Sequence, residues 1–288
     1  MASEPFALSQ CATITSLEFE RLPKDKYLME PKVDGWRMQI DVDGDHIRAW
    51  TRTQHIADRK MPMVEHELRK AVPAGHHIRL DGEAVLIDES GKPDYNLTAR
   101  CLGSGTEVCI DKQRELGRYL TYVVFDVLLV DNHDLRGMQL LERKIELAKL
   151  NLESEHVKPI MGKKPSYGLH AHYFEQFKEG SVLKLVSSTY AGRRNKSWLK
   201  WKEIETVDVR IIGYKEGQGK FIGLIGAIQW QAPDGTIGFC SGMDDETRVF
   251  ISNNREALIG RIIEIKHFGK LVDGYRHPQF IRFRADKV

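Results

Sequence analysis

This sequence is short of cysteine, of long apolar runs and of an N-terminal basic segment, and each shortage excludes a class of protein. The four cysteines, Cys11, Cys101, Cys109 and Cys240, form no C-x-x-C pair and no Cys/His ligand spacing, which argues against a zinc site or a disulfide scaffold. No apolar run approaches the length of a membrane span, and no basic residue precedes Arg21, as a secretory leader would require. We therefore expect a cytoplasmic protein with no membrane partner.

The chain also lacks a large excess of either positive or negative charge, so any binding of nucleic acid has to come from local patches. The chain has 43 Lys and Arg against 41 Asp and Glu, a formal net charge of +2 and a pI near 8.2, which give no strong global field. With 41% hydrophobic and 29% charged residues, the composition is that of a globular protein. Its 288 residues fit roughly two domains.

The segment MEPKVDGWR, residues 29–37, places an amine and a guanidinium at a tight turn between two strand-like runs. Lys32 precedes the Asp34-Gly35 corner and Arg37 follows it, an arrangement that can hold a phosphate. A nucleophilic amine must lose its proton, and we expect nearby cations and partial burial to lower the pKa of Lys32. For this short motif alone, a hairpin turn with a solvated lysine is the alternative.

Two strand-like segments further along contain isolated carboxylates. HIRLDGEAVLID, residues 77–88, predicts two strands that pivot on Asp81-Gly82-Glu83, so that Glu83 begins the second strand. YLTYVVFDVLLV, residues 119–130, is almost wholly apolar and predicts a strand buried on both faces, interrupted only by Asp126. Its Phe125 is either a core residue or the wall of a base-binding pocket.

An amphipathic helix and a strand are predicted next. The helix should bury one apolar row and leave its charged residues in solvent: the row is Leu141, Ile145, Ala148 and Leu152, and the solvated residues are Glu142, Arg143, Glu146 and Lys149. In EGSVLKLV, which begins at Glu179, alternation puts Val182 and Lys184 on one face. A lysine on an apolar strand indicates an acidic partner or a phosphate.

Basic residues surround two tryptophans in YAGRRNKSWLKWK, residues 190–202. On a strand, Lys200 and Lys202 share one face while Leu199 and Trp201 share the other. Two such lysines near a nucleophile would neutralise a phosphate. A solvated basic edge strand is the alternative.

The pattern of charged and apolar residues changes at Glu203 to Asp208, and we place a domain boundary there. Beyond it, about five short strands and one helix in eighty residues are typical of a small barrel of the oligonucleotide-binding (OB) type. The last residues, RHPQFIRFRADKV, combine basic and apolar side chains, which favours an ordered strand over a disordered tail.

Six of these segments resemble, in the same order and with similar spacing, the six motifs of ATP-dependent DNA ligases. They are KVDGWR, LDGEAVLID, YVVFDVLLV, EGSVLK, WLKWK and RHPQFIRFRADK. The family lies within the covalent nucleotidyltransferase superfamily, which includes RNA ligases and mRNA capping enzymes. The resemblance covers about residues 27–288, nearly the whole chain.

The resemblance implies a role for each matching residue. Lys32 would be the adenylated nucleophile, Glu30 and Phe125 would hold adenine, and Glu83 would contact the ribose and share the metal site with Glu179. Arg37 and Arg52 would contact the nucleotide or the nick 5'-phosphate, while Lys200 and Lys202 would hold the α-phosphate. Lys184 belongs to the fourth motif, and the leaving pyrophosphate would be bound by Arg282, Arg284, Asp286 and Lys287.

The resemblance also implies the fold and the reaction. The fold would be α+β with two domains, an adenylation domain of mixed antiparallel sheets over residues 1–205 and an OB-fold barrel over residues 206–288, joined by a hinge near Glu203 to Thr206. The reaction would use ATP and Mg²⁺ or Mn²⁺ to seal nicks in duplex DNA. We expect a monomer of the minimal phage or bacterial type, because no helical DNA-binding domain precedes residue 27.

Three other functions remain open from the sequence. An RNA ligase of the same superfamily is the nearest alternative. A capping guanylyltransferase is further away, because its fourth motif normally begins with Asp-Gly where this chain has Glu179-Gly180. A non-catalytic single-strand-binding protein built on the barrel would use basic and aromatic residues as a stacking platform, but would leave Lys32, Glu83 and Glu179 unexplained.

Overall fold

The structure is a computed structural model that describes residues 4–177, 179–202, 205–267, 270–271 and 273–287. It divides into two compact units, Met1–Trp201 and Lys202–Val288. The predicted hinge falls partly on Glu203 and Ile204, which lie outside the described residues. No helix in these ranges is both long and apolar enough to cross a bilayer.

Both units contain helices and strands, so the fold is α+β. The helices are α1 (Ser16–Arg21), α2 (Pro62–Ala71), α3 (Tyr95–Leu102), α4 (Thr106–Leu116), α5 (Leu140–Lys149), α6 (Tyr167–Phe177), α7 (Asp245–Asn253) and α8 (Arg255–Leu258). The strands of the first unit are β1 (Gln10–Thr13), β2 (Tyr27–Pro31), β3 (Trp36–Asp43), β4 (His46–Thr51), β5 (His77–Val85), β6 (Thr121–Val130), β7 (His133–Asp134), β8 (Val157–Pro159), β9 (Ser181–Leu185) and β10 (Arg194–Trp201). Those of the second are β11 (Glu205–Glu216), β12 (Ile225–Gln231), β13 (Ile237–Cys240), β14 (Ile262–His267), β15 (Lys270–Leu271), β16 (Gly274–Tyr275) and β17 (Gln279–Phe283).

A large sheet with the order β4-β3-β5-β6-β7 forms the main core of the first unit, and β8 adds to β6 in parallel. Alternate residues such as Met38, Ile40, Leu80 and Tyr122 are buried in this core. The intervening residues of the same strands include Arg37, Asp81 and Glu83. Because side chains alternate along a strand, these charged residues lie on the opposite face from the core.

A small sheet with the order β1-β10-β9-β2 carries a second core. One face buries Met29, Leu183, Leu199 and Trp201, with Trp201 stacked on Phe19 of α1 at 4.2 Å. The shared face predicted for Leu199 and Trp201 is confirmed. The opposite face bears Lys184 and Lys200, by the same alternation.

The segment predicted as two strands around Asp81-Gly82-Glu83 is one continuous strand, β5, so that prediction is wrong. It pairs with β3 from His77 to Ala84 without interruption. Gly82 does not make a turn there. A Cβ on it would lie 2.6 Å from the Val123 carbonyl oxygen and 2.7 Å from the Tyr122 ring, so a glycine is needed for close packing against β6.

Helix α5 is rotated relative to the predicted amphipathic pattern. Leu141 and Ile145, predicted to be buried, are each 50% exposed, whereas Arg143 and Lys144 are buried. Arg143 donates through Nε and Nη2 to the two oxygens of Asp126, at 2.8 and 2.9 Å. The isolated carboxylate of β6 therefore has a buried cationic partner, and the ion pair sets which side of the helix faces inward.

The second unit has its own core around a five-stranded sheet with the order β13-β12-β11-β14-β17. Ile211, Ile228, Trp230 and Ile263 are buried in it. The two edge strands approach each other at one end, where Gln279 forms a bridge with Ser241 and Phe280 N–H donates to the Ser241 carbonyl at 2.8 Å. The described strands form this sheet and a β15-β16 hairpin rather than a closed barrel.

We predict that Arg143→Ala destabilises the first unit by about 3–5 kcal/mol, because it leaves Asp126 buried without its bidentate partner. Urea unfolding followed by circular dichroism measures the loss. Lys149→Ala, on the exposed side of the same helix, is the matched control and should change stability by less than about 0.5 kcal/mol. Equal effects of the two substitutions would contradict the assigned helix orientation.

Candidate active site

Lys32 lies at the end of β2, where the chain turns toward β3. Its backbone N–H donates to the Gly180 carbonyl at 2.9 Å, which ties the turn to the start of β9. Gly35 closes the turn against β5, since a Cβ there would lie 2.4 Å from the Ala84 carbonyl oxygen. The glycine of the Asp-Gly corner is thus required by close packing against β5.

The amine of Lys32 forms an ion pair with Glu179, with Nζ 2.8 Å from Oε2. Burial lowers the pKa of Lys32, but the Glu179 carboxylate, assisted by Glu83 and Asp34, outweighs burial and raises it. The expectation that surrounding cations hold this pKa down is therefore wrong for this structure. An acid in direct contact determines the protonation of the amine, and Lys32 is an ammonium.

Glu83 is a half-buried carboxyl on the charged face of the large sheet. Burial raises its pKa to about 7; Lys32 and Arg37 oppose the shift, and Asp34 and Asp81 add to it. Burial is thus the main cause of the raised pKa, and the two cations oppose it more strongly than the two acids add to it. Such a strongly shifted acid next to an amine is typical of a functional site.

Arg37 is held by three parts of the chain. Its Nε and Nη2 donate to Asp81 at 3.1 and 2.7 Å, and Nη1 donates to the Ser9 carbonyl at 2.5 Å. The Tyr190 hydroxyl donates to Asp81 Oδ2 at 2.6 Å and lies 3.3 Å from Arg37 Nη2. The guanidinium is fixed in place by these contacts, with 15% of the side chain exposed.

Glu30 is shared between two buried lysines. Its Oε1 lies 2.5 Å from Lys144 Nζ and its Oε2 lies 2.7 Å from Lys184 Nζ. Lys144 also donates to the backbone carbonyls of Phe125 and Ile160, at 2.8 and 2.5 Å. Both carboxylate oxygens of Glu30 are therefore occupied, and its contact with adenine stays a prediction.

Phe125 lies where β6 breaks its regular pairing with β5. The register passes from Asp81 opposite Asp126 to Gly82 opposite Val124, which leaves Phe125 as the extra residue of a β-bulge. Lys184 Nζ lies 4.3 Å from the centroid of its ring and 4.1 Å from that of Trp198. The half-buried ring thus borders the cations, as a pocket wall would, and its contact with a base remains untested.

The cations from separate motifs gather around Cys11 of β1. Burial raises the pKa of its thiol, and the opposing positive charges are, in order, Lys184, Arg37, Lys32 and Lys200. Lys200 and Lys32 therefore both lie near Cys11, and their shared contact with a phosphate stays a prediction. Lys202 is the first residue of the second unit, and Arg52 is exposed after the end of β4.

The predicted pyrophosphate-binding residues form ion pairs within the second unit. Arg284 contacts Asp208 at 2.9 Å and Asp286 at 2.7 Å, and Lys287 contacts Asp208 at 2.5 Å. Arg282 Nε donates to Glu264 at 2.7 Å. These cations would have to exchange a carboxylate for a phosphate in order to bind one.

Glu83 and Glu179, the predicted metal ligands, are two carboxylates near the cations that are predicted to bind phosphate. Mg²⁺ is commonly held by one or two carboxylates together with waters and substrate phosphates, so the donor set fits this ion. In the described part of the chain, the compact group of three His, Cys, Asp or Glu residues is elsewhere: Glu67, Glu155 and His156. Glu67 already accepts from Ser154 Oγ at 2.6 Å and from the His156 backbone at 2.8 Å.

The assembled group suits a phosphorylated substrate and a covalent step at an amine. It combines a nucleophile, an acid in contact with it and cations fixed by hydrogen bonds. Sequence reasoning missed Asp34, Asp81, Lys144 and Tyr190 as members. Asp81 shares the strand face of Glu83, which could have indicated it, whereas no pattern in the sequence marks Lys144 as buried.

Comparisons with known proteins agree on one family. A family model described as the ATP dependent DNA ligase domain matches residues 6–202. The chain is 30% identical over 294 residues to a probable DNA ligase of Streptomyces avermitilis, a match that covers 90% of this chain and 56% of that protein. It is 30% identical over 208 residues to the multifunctional non-homologous end joining protein LigD of Pseudomonas aeruginosa, covering 69% of this chain and 23% of that one. The chain spans about half the length, or less, of the curated relatives it matches.

Solved structures share the fold at lower identity. A Lig E DNA ligase, described as binding DNA with a minimal scaffold, matches with a TM-score of 0.71 and 19% identity, over 96% of this chain and 99% of that chain. The structure named Pmar-Lig_PreS3 matches with a TM-score of 0.75 and 22% identity, over 97% of this chain and 68% of that one. The architecture of this chain is therefore that of known ligase structures.

We predict that Glu83→Gln stabilises the protein at about pH 8 and leaves it nearly unchanged at about pH 5. A carboxyl whose pKa is raised in the folded chain takes up a proton on folding, so its favourable contribution is complete below its ordinary pKa and is lost as pH rises toward 7. Melting temperatures at the two pH values measure the difference.

The control for this prediction is Glu89→Gln, a surface carboxylate whose side chain is 88% exposed. It should change the melting temperature little and similarly at both pH values. If Glu83→Gln gave the same change at pH 5 as at pH 8, the raised pKa of Glu83 would be ruled out.

Proposed function

Because this chain belongs to the ATP-dependent DNA ligase family, we propose that it joins a 5'-phosphate to a 3'-hydroxyl at nicks in duplex DNA. Residues 1–205 would form the adenylation domain and residues 206–288 a domain of the OB type. The observation that carries the proposal is the ion pair of Lys32 with Glu179, surrounded by Glu83, Arg37, Lys184 and Lys200.

Lys32 Nζ is the proposed nucleophile toward the α-phosphate of ATP. It has to give up a proton first, and Glu179 Oε2, at 2.8 Å, is within reach to accept it. Arg37 and Lys200 would then neutralise phosphate charge while pyrophosphate leaves. The adenylyl group would next pass to the nick 5'-phosphate, and the 3'-hydroxyl would displace AMP.

Glu83 and Glu179 would hold Mg²⁺ or Mn²⁺. The ion would neutralise charge on the phosphates of ATP. The support for this site is the donor set itself, because Glu179 contacts Lys32 Nζ at 2.8 Å and Glu83 is near enough to raise the pKa of the same amine. One or two carboxylates together with substrate phosphates are a usual set of ligands for Mg²⁺.

The second unit would bind the DNA backbone and the leaving pyrophosphate. Its five-stranded sheet and the approach of its edge strands at Ser241 and Gln279 support a barrel of the OB type. Arg282, Arg284 and Lys287 supply cations at its last strand and beyond. We further propose that the enzyme acts as a monomer in the cytoplasm.

We predict that Lys32→Ala abolishes a covalent protein–AMP adduct formed with α-labelled ATP and Mg²⁺, because the variant has no amine at the attacking position. Denaturing electrophoresis and intact mass detect the adduct, and pyrophosphate should remove it from the wild type. An adduct that survives in Lys32→Ala would remove this lysine from the role. Labelled GTP in parallel distinguishes a capping enzyme, and nicked RNA beside nicked DNA distinguishes an RNA ligase.

Lys200→Ala should slow adduct formation by roughly 100-fold, because it removes a cation that would stabilise the developing phosphate charge. Lys163→Ala is the control, since Lys163 is exposed and pairs with Met29 through its backbone alone. Single-turnover adenylylation rates measure both. Equal rates in the two variants would show that Lys200 does not contribute to the reaction.

A further inference from the structure

The contacts of Arg37 leave at least one of its five N–H donors unused. Nε and Nη2 donate to Asp81, Nη2 also lies 3.3 Å from the Tyr190 oxygen, and Nη1 donates to the Ser9 carbonyl. A second N–H on Nη1 is not used by these contacts. The direction in which it points is set by the acceptors that hold the rest of the guanidinium.

We propose that Tyr190 is a positioning residue that holds Arg37, through Asp81, in the orientation in which this N–H meets a phosphate. The inference rests on the proposed function, in which Arg37 binds the nucleotide or the nick 5'-phosphate. Tyr190 lies far from Arg37 in the sequence. It falls between the fourth and fifth motif segments and belongs to neither.

The hydroxyl of Tyr190 has two roles in this group. It donates its single hydrogen to Asp81 Oδ2 at 2.6 Å, and its lone pair faces Arg37 Nη2 at 3.3 Å. Asp81 is completely buried and Tyr190 is 5% exposed, so water does not readily replace either contact. Without the hydroxyl, Asp81 loses a donor, and the guanidinium loses one of the two acceptors besides Asp81 that limit its movement.

The ring of Tyr190 is itself held in place. It packs edge to face on Trp198 at 5.6 Å, and its backbone N–H donates to the Arg136 carbonyl at 2.9 Å. Tyr190→Phe therefore keeps the ring and its packing while it removes only the hydroxyl. The substitution therefore tests whether the hydroxyl positions Arg37, with little effect on the packing that supports the fold.

The experiment is a double-mutant cycle on the full chain with Tyr190→Phe and Arg37→Lys, which keeps the charge of Arg37 but not its fork of donors. We expect Tyr190→Phe alone to lower the single-turnover rate of adenylylation or of nick sealing by about tenfold, with little change in KM for ATP. In the Arg37→Lys background the same substitution should lower that rate by less than about twofold. Tyr214→Phe, which removes a half-buried hydroxyl from the Arg255 carbonyl in the second unit, should leave the rates unchanged.

Two results would overturn the proposal. One is an equal loss from Tyr190→Phe in both backgrounds, which would mean that the hydroxyl acts independently of Arg37. The other is a loss that follows the unfolded fraction as temperature changes, which would make the hydroxyl structural only. A wild-type protein that forms no AMP adduct would instead refute the proposed function, so the two failures are distinct.

Discussion

The contact between Lys32 and Glu179 is the constraint on which the site depends. It joins the turn after β2 to the start of β9, beside the backbone hydrogen bond from Lys32 to Gly180. Burial alone would lower the pKa of this amine, whereas the carboxylate 2.8 Å away raises it. In the proposed reaction, Lys32 would therefore become nucleophilic only after a ligand draws Glu179 away or another group takes up the proton.

Paired charges of the same kind occur throughout the interior of the first unit. Arg143 with Asp126, Arg37 with Asp81, and the two lysines on Glu30 are all ion pairs or triads with little exposure. Burying such pairs adds little net stability, since desolvation offsets attraction. What they provide is fixed geometry, because each guanidinium and ammonium has hydrogen-bond acceptors on more than one element. Fixed donors are what phosphoryl transfer needs, since little reorganisation then accompanies the reaction.

These ion pairs also limit which features of the fold and the site could be predicted from the sequence. The two-residue alternation of a strand predicted correctly that Leu199 and Trp201 share a face. The face of a strand residue depends only on whether it is an even or odd number of positions from its neighbours, so it can be read from the segment itself. The 3.6-residue pattern of α5 failed, because Arg143 and Lys144 turn inward toward acids on β6 and β2 that are distant in the sequence. The bulge at Phe125 and the unbroken β5 depend on pairing with neighbouring strands, which no single segment contains. The pKa of Lys32 was misjudged because Coulomb energy depends on distance, and the nearest charge is an acid.

The second unit repeats the arrangement at its own basic residues. Arg284 and Lys287 share Asp208, Arg284 also binds Asp286, and Arg282 binds Glu264. Hydrogen bonding to Asp286, followed by the charge of Asp208, raises the pKa of Arg284, although desolvation opposes it. In the second unit, then, the cations predicted to meet phosphate already contact carboxylates. A phosphate ligand would have to replace those carboxylates, so the net gain on binding would be smaller than the number of cations suggests, and binding would be favoured only where several are replaced at once.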